Sequence, residues 1–510
     1  MSGNESYVLA IDQGTSGTKA ILFDEEGKAV VKVTEPLKTY FLEGGFVEQD
    51  PQEIFNNVLT SVQKCIKVFK SNGGDIYDIK ACGISNQRET FVVWDEKGNP
   101  LHNAVVWQCK RSIQICERLK IAGLEEQIKE KAGLIIDPYF SGTKLMWLYE
   151  NVSQVRDAIN EGKAYFGTVD AWLLYNLTDG KKYFTDYTNA SRTLFFNLHT
   201  LSWDKELLST FGLSNINLPE TKPSSYEFGE TNFNRLIDNS IPITGMIGDS
   251  HAAAFGEGCF SPGTAKATLG TGSSILMNIG SEMKSSENGM ITTICWSTED
   301  RVDYALEGVI VSCGSTIEWI KNELGLIDDS KATEAMATSV SDNNGVYLVP
   351  AFSGLGAPHW DMNRKASISG LTFDCNKNHI VRAALESIAY QIKDVIVAME
   401  QDAQIELEQL MVDGGITSNK FVLQFLADLL QRTIVTIGMP DVSALGAAYM
   451  AGLKAGVYKS IEHLNTLNSN KNFVHPVDNI KIIRWYEDWK AIIKSKLVGA
   501  SVTDETEVSK

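Results

Sequence analysis

The chain writes one local pattern twice, near its start and again just past its midpoint. Tyr7 to Asp24, YVLAIDQGTSGTKAILFD, reads as an apolar strand, a glycine-threonine turn and a second apolar strand. GTAKATLGTGSSILMNIG (263–280) has the same logic. Glycines in such a turn let backbone N–H groups converge on one point, and the hydroxyls add donors. A unit that reopens the second half implies two duplicated domains with a cleft between them. The length, 510 residues, is too great for one hydrophobic core and supports the same division.

Between the two units, strands alternate with helical spacing. A turn at Gly27-Lys28 leads into a strand AVVKVTEP, and Asp50 is placed to cap a helix from Pro51 to Lys70. Ile79 to Ser85 is a short buried strand, and ETFVVWD follows the loop Asn86-Gln87-Arg88. Helices are expected at roughly 109–121, 123–132 and 143–152, with strand then helix over 166–178. From 195 to about Asn239 the pattern is irregular. In the second half, helices are expected over Gly314 to Leu324, about His379 to Glu400 and about Ser418 to Gln431. LEQLMVDGG (407–415) and RTIVTIG read as strands, and SALGAAYMAGLKAG as a helix. This alternation predicts an α/β fold with largely parallel sheets.

A net charge of −18 argues against nucleic acid as the main partner, because phosphate backbones need clustered Lys and Arg. A small phosphate needs only a local nest of donors and is not excluded. The eight cysteines are scattered with no CxxC pair, which predicts buried free thiols in a reducing cytoplasm. No apolar run reaches membrane-spanning length. The N-terminus enters a strand at once, without a signal peptide, and the polar SVTDETEVSK at the other end is expected to fray.

Several stretches carry candidate chemistry. Asp12-Gln13-Gly14-Thr15-Ser16-Gly17-Thr18-Lys19 is a donor-rich turn in which Asp12, at a strand end, could hold Mg²⁺ through water. A plain hairpin would look the same, and no Walker A loop is present. The second turn, Gly270-Thr271-Gly272, strengthens the phosphate reading, since two such turns could clamp a polyphosphate from both sides. Asp413 to Asn419, DGGITSN, offers paired glycines after a strand and suits an adenine slot, or simply a tight strand-to-helix connection. Asp249, in TGMIGDSHAAAF, is either a helix N-cap or a general base for a hydroxyl attacking a γ-phosphoryl group. It sits just before the second hairpin, so Thr244 to Asn278 reads as the joint between the domains. In Asn86-Gln87-Arg88-Glu89-Thr90, Arg88 would supply donors and Glu89 acceptors for adjacent hydroxyls. Trp107 and Tyr139 are either core aromatics or apolar walls for a carbon chain.

Together these stretches resemble the FGGY carbohydrate kinases, and most closely the members that phosphorylate glycerol. The likeness runs from about Tyr7 to about Trp489 through AIDQGTSGTKA, NQRET, VVWQCKR, IDPYFSGTKLMWL, DYTNASRTLFFN, LGTGSS, AFSGLGAPHWD and VDGG. Both family signature regions are present, at Tyr139–Asn151 and Ala366–Glu386. The resemblance implies two actin-like ATPase (ribonuclease H-like) domains closing on a cleft. We expect them at 1–256, with the acceptor site, and 257–500, with the nucleotide site, followed by a polar tail at 501–510.

By the same resemblance Asp249 is the catalytic base, Arg88, Glu89 and Tyr139 bind the polyol, and Trp107 is its apolar wall. Thr15, Thr271, Gly314, Gly415 and Asn419 match nucleotide-contacting positions, and Ser16, Gly17 and Gly272 complete the two phosphate turns. Lys19 stands where Arg is usual and loses the bidentate fork. Glu318 stands where a nucleotide-site Gln is usual. Glycerol-phosphorylating members usually follow the catalytic Asp with Gln-Gln, whereas this chain has Ser250-His251. The Phe usual two residues beyond the Gly-Thr-Gly is Ser274.

The expected activity is therefore ATP- and Mg²⁺-dependent phosphorylation of a terminal hydroxyl of a small polyol. Glycerol, giving sn-glycerol 3-phosphate, comes first, with erythritol, xylitol or xylulose as rivals, and His251 could meet an extra hydroxyl. A non-catalytic actin-like nucleotide switch is the alternative of another class. A cytoplasmic homo-oligomer, dimer or tetramer, is implied. The Gly-rich loop with which some relatives bind fructose 1,6-bisphosphate has no counterpart in GETNFNRLIDNS (229–240), although Arg235 is nearby.

Overall fold

The computed structural model describes residues 5–467 and 471–495, and the tail expected at 501–510 lies outside them. The first repeat unit forms β1 (Tyr7–Gln13) and β2 (Gly17–Phe23), which pair antiparallel around the glycine-threonine turn, Asp12 opposite Lys19. With β3 (Ala29–Pro36), β4 (Ile79–Asn86), β5 (Ser225–Thr231) and β6 (Ile241–Gly248) they build a six-stranded sheet in the order β5-β6-β4-β1-β2-β3.

The second unit forms β7 (Thr264–Leu269) and β8 (Ser273–Gly280), again an antiparallel hairpin, with Thr268 opposite Ser274. It sits in a seven-stranded sheet with β9 (Ile291–Ser297), β10 (Val302–Ile310), β11 (Gln409–Asp413), β12 (Thr433–Ile437) and β13 (Lys471–Val474). The order is β9-β10-β8-β7-β11-β12-β13. In each sheet the first hairpin strand has a parallel neighbour on its other side, β4 beside β1 and β11 beside β7. That shared core is the duplication the sequence predicts.

Two expectations need correction. The sheets are mixed, not largely parallel: β1–β2, β2–β3 and β5–β6 run antiparallel, as do β7–β8, β8–β10, β9–β10 and β12–β13. The reason is the turn itself, since a short hairpin can only reverse the chain, while parallel pairs need a long crossover. The stretch read as irregular contains β5, which forms one edge of the first sheet against β6. A third sheet joins Tyr40–Leu42, Phe46–Gln49, Phe91–Trp94, Ala104–Val105 and Tyr165–Thr168.

Among the helices, α1 (Pro51–Ser71) starts where expected, with the Asp50 carboxylate accepting from the Gln52 N–H. α2 (Ser141–Asn151) packs beside the third sheet, sharing its apolar core. α3 (Asp249–Glu257) leaves the end of β6, and α4 (Gly314–Asn322) follows β10. α5 (Lys377–Ala403) and α6 (Lys420–Leu430) cover the second sheet. α7 (Val442–Ala455) crosses over and packs on the first sheet and on α3. Small residues allow it: a Cβ on Gly83 would stand 2.2 Å from the Ala447 carbonyl, and one on Gly446 would stand 1.8 Å from that of Ala252. Ser225 and Thr244 hydroxyls donate to the Met450 and Ala451 carbonyls of α7 at 2.9 Å each. The two halves are thus tied together behind the cleft.

All eight cysteines are free, seven of them buried. No helix among the described residues is long and apolar enough to cross a membrane.

Candidate active site

Both glycine-threonine turns close the same way. Gly14 N–H donates to the Gly17 carbonyl at 2.9 Å, and Gly270 N–H donates to that of Gly272 at 3.0 Å. α4 begins on the second turn: Gly314 N–H donates to the Gly270 carbonyl at 2.9 Å and Ser315 N–H to that of Thr271 at 3.1 Å. A Cβ at Gly314 would stand 2.7 Å from the Gly270 oxygen, so only glycine lets the helix seat there. Beside this junction is a cavity of about 650 Å³, in the range of small-ligand sites. Its walls bring together Thr271, Gly314, Glu318, Gly415 and Asn419, five of the positions expected to meet a nucleotide. Gly415 faces open space, and Asn419 caps α6 by accepting from Val422 N–H while donating to the Thr333 hydroxyl. Ser330 and Lys331, which the sequence did not single out, also line it.

At the first turn Ser16 is exposed, and Gly17 begins β2 hard against the Glu35 carbonyl. Lys19 stands 3.2 Å from both Asp12 and Asp441. Asp12 also accepts from the Ser85 hydroxyl at 3.0 Å. Thr15 accepts from the indole N–H of Trp107 at 3.0 Å and donates to Gln87 at 3.3 Å, which joins the first turn to the predicted acceptor wall. Trp107 meets Tyr139 edge to face, with ring centres 5.7 Å apart. Buried Lys144 fixes the backbone under that wall by donating to the Pro138 and Tyr139 carbonyls at 2.9 and 2.7 Å. Burial pushes its ammonium down to about 8.

Asp249 is the first residue of α3, and the cap position belongs to Gly248 with no side-chain cap bond. The carboxylate accepts from Ser250 N–H at 2.7 Å, lies 3.4 Å from Arg88 Nε, and remains 36% exposed to the cleft. Its pKa is raised to about 6: desolvation drives it up, Arg88 opposes, and the charges of Asp12 and Glu89 push it further. Arg88 Nη1 donates to Glu307 Oε1 at 3.0 Å, and Nη2 reaches the Tyr139 hydroxyl at 3.4 Å. Arg192 Nη1 stands 2.5 Å from Glu307 Oε2, and its Nε donates to Glu89 Oε1 at 2.6 Å. The result is an alternating chain, Asp249–Arg88–Glu307–Arg192–Glu89. Burial disfavours charge on Glu307, yet Arg192 and Arg88 outweigh it and hold the carboxyl far below its usual range.

This network differs from the expected Arg88–Glu89 clamp. Glu89 is buried, adopts φ 59°, and turns to Arg192. A non-glycine residue held at positive φ is strain of the kind that collects at functional sites. Glu307 and Arg192 were not foreseen, although each is a charge inside an apolar run, VDYALEGVI and ASRTLFF. His251 is wholly buried behind the site, its Nδ1 without a partner and its Nε2 3.5 Å from the Thr293 hydroxyl. It presents no surface to the cleft, and burial keeps it neutral. Ser250 and Ser274 do reach the cleft, their oxygens 3.5 Å apart.

A duplicated, mixed-sheet frame with a glycine-threonine hairpin at the centre of each half, a nucleotide-sized cavity and a carboxylate-lined cleft defines an actin-like ATPase fold. The chain belongs to the FGGY family of carbohydrate kinases, phosphotransferases acting on an alcohol, whose N-terminal domain matches residues 7–256 and whose C-terminal domain matches 265–455. It is 46% identical to the glycerol kinase of Thermoanaerobacter pseudethanolicus over 97% of this chain and 99% of that one. It is 48% identical to glycerol kinase 1 of Clostridium tetani over 89% of this chain and 90% of that one. Among solved structures it resembles Plasmodium falciparum glycerol kinase with ADP at 36% identity and a TM-score of 0.92, over 97% and 99% of the two chains.

Proposed function

We propose that this chain transfers the γ-phosphoryl group of ATP to a terminal hydroxyl of glycerol, giving sn-glycerol 3-phosphate and ADP. The observation that carries the reading is Asp249: a carboxylate open to the cleft, with a pKa raised to about 6 and Arg88 beside it, in a chain alike end to end to glycerol kinases. Such a group is basic enough to take a hydroxyl proton and still ionised at neutral pH.

The acceptor oxygen attacks the γ-phosphorus as the bond to the bridging β–γ oxygen breaks, and Asp249 takes the proton late. Arg88 and Tyr139 hold the acceptor hydroxyls and Trp107 flanks the carbons. Thr15, Ser16, Gly17 and Lys19 on one side and Thr271 and Gly272 on the other hold the phosphates. Gly314, Glu318, Gly415 and Asn419 shape the nucleoside end. Glu89 acts through Arg192, since it has almost no exposed surface.

No group of three or more His, Cys, Asp or Glu among the described residues could cage a metal. Mg²⁺ needs no cage, because it keeps most of its waters and takes one or two carboxylates. Asp12, which accepts from Ser85 and Lys19, fits that outer role. Mg²⁺ bound there would neutralise phosphate charge.

We place the domain division at 1–256 and 257–500, which falls at the last residue of α3. We also assign the enzyme to the cytoplasm, where eight unpaired cysteines stay reduced, as a homo-oligomer on the strength of the family likeness. The test is ADP release from ATP with a panel of polyols. Glycerol-dependent turnover is expected. ATP hydrolysis that no polyol stimulates would leave only the nucleotide-switch reading.

A further inference from the structure

Ser250 and Ser274 stand side by side across the joint between α3 and β8, their side-chain oxygens 3.5 Å apart. Each hydroxyl is held from behind by a buried charge. Lys266, 2% exposed on β7, donates from Nζ to Ser250 Oγ at 3.1 Å. Ser274 Oγ donates to Glu307 Oε1 at 3.0 Å, and Glu307 is fully buried.

These anchors decide which way the protons point. An ammonium can only donate, so Ser250 Oγ is the acceptor there and its own O–H is free to point elsewhere. An ionised carboxylate can only accept, so the Ser274 proton is committed to Glu307 and the Ser274 lone pairs remain. The two oxygens are 3.5 Å apart, too far for a good mutual O–H···O bond, which favours about 2.7–2.8 Å. One donor and one acceptor therefore stand side by side, both reaching the cleft and neither well matched to the other.

An alcohol group is the ligand that fits, since it accepts from one oxygen while donating to the other. Ser250 follows Asp249 at the start of α3, and Ser274 lies two residues past Gly272 on β8, so the pair joins the proposed base to the second turn. The surroundings are close to charge-balanced: Asp249, Glu307 and Glu89 against Arg88, Arg192 and Lys266. That balance suits a neutral acceptor over an acidic one.

We propose that the Ser250–Ser274 pair reads a fourth hydroxyl, so that this site also phosphorylates four-carbon polyols at a terminal hydroxyl. The inference rests on the kinase reading above and adds the acceptor class. The step is the same: the terminal C–O oxygen bonds to the γ-phosphorus, ADP leaves and Asp249 takes the proton.

The experiment measures kcat/KM by ADP release for glycerol, erythritol and D- and L-threitol, in the wild type and in Ser250→Ala and Ser274→Ala. Thermal melting of each variant checks its fold. The readout is the ratio of tetritol to glycerol kcat/KM within each protein, which a loss of active enzyme does not move. At least one tetritol is expected to be used as well as glycerol, and each alanine variant should lower the ratio by about tenfold, the worth of about 1.4 kcal/mol. Ser250→Ala leaves the Glu307 contacts alone, so it reports even if Ser274→Ala disturbs them. Glycerol turnover with tetritols about a hundredfold poorer would overturn the proposal and leave the glycerol reading intact. Tetritol turnover with an unmoved ratio in both variants would overturn the assignment to the serines. Absence of turnover with every acceptor would overturn the kinase reading and this inference with it.

Discussion

Glu307→Gln should separate what the buried charge network does for the fold from what it does for the cleft. Glu307 has no exposed surface and takes Arg88 at 3.0 Å, Arg192 at 2.5 Å and the Ser274 hydroxyl at 3.0 Å. The amide keeps the shape and one acceptor oxygen but removes the charge. Arg192 then retains Glu89, and Arg88 retains Asp249 as its ion-pair partner and the Tyr139 hydroxyl as a neutral one. Removing one partner of a buried pair costs about 3–5 kcal/mol, and the residual acceptor places this variant near the lower figure. The unfolding midpoint should drop by about 5 °C or more.

The second effect falls on the proposed base. Freed from Glu307, Arg88 can close on Asp249 from 3.4 Å to about 2.8 Å, the length of a charge-assisted bond. At an effective dielectric of about 20 that gains about 1 kcal/mol, or roughly 0.8 of a pKa unit. Asp249 keeps 36% of its surface, so screening trims the shift to about half a unit downward from about 6. A base works only when ionised, so kcat/KM falls as pH drops through its pKa, and that acidic limb should move down by the same half unit while the plateau falls. The assays are calorimetry and the pH profile of kcat/KM for glycerol. A variant that melts within about 1 °C of wild type with an unmoved limb would refute the anchoring of Arg88 by Glu307.

Asp249→Asn should lower kcat by about 10²–10⁴ while ATP affinity, measured by calorimetric titration, stays near wild type; residual activity within about tenfold of wild type would remove Asp249 as base. The wild-type kcat/KM profile should bend near pH 6 with a single-proton acidic limb, and a profile flat through that region would contradict the raised carboxyl. Gly314→Ala puts a methyl 2.7 Å from the Gly270 oxygen and should raise KM for ATP by about tenfold, leaving KM for glycerol within a few-fold; an unchanged KM for ATP would show that the seating of α4 does not shape the nucleotide site. Lys144→Met strips the donor from the Pro138 and Tyr139 carbonyls and should raise KM for glycerol more than it lowers kcat; the reverse split would place Lys144 outside acceptor binding.

The hairpins were legible because a period of two broken by glycine and threonine has few other solutions. Asp50 before Pro51 was legible for a related reason, since local backbone geometry demands those residue types. The five cavity positions from Thr271 to Asn419 came from the family resemblance, and the cavity brings them together. β5 was not, because SYEFGET mixes buried and exposed positions irregularly at a sheet edge. Nor was the crossing of α7 onto the first sheet, since nothing in SALGAAYMAGLKAG says which sheet its small residues will approach. Long-range placement also hid two of the five members of the charge network, Glu307 and Arg192. Arg88 and Glu307 are 219 residues apart, and Glu89 and Arg192 are 103 apart. Adjacent in sequence, Arg88 and Glu89 look like partners, yet each found its counter-charge elsewhere.

That rearrangement bears on why the chemistry is easier to read here than the acceptor. A buried charge must be paired or it destabilises the fold, so Arg88, Glu307, Arg192 and Glu89 constrain one another strongly. Their mutual pairing aims Arg88 Nε at Asp249 and so tunes the base. None of them has much surface left for a substrate to meet, since Arg88, Glu89, Arg192 and Glu307 are all buried, Arg88 the least completely at 6%. Discrimination among acceptors then falls to neutral groups that can change without unbalancing the network. Ser250 and Ser274 are such groups: they touch the charges through Lys266 and Glu307, face the cleft, and carry no charge of their own. A site built this way can keep its phosphoryl-transfer machinery while the length of the polyol it admits drifts with two small side chains, which is why the tetritol-to-glycerol ratio, rather than activity itself, is the quantity those serines should control.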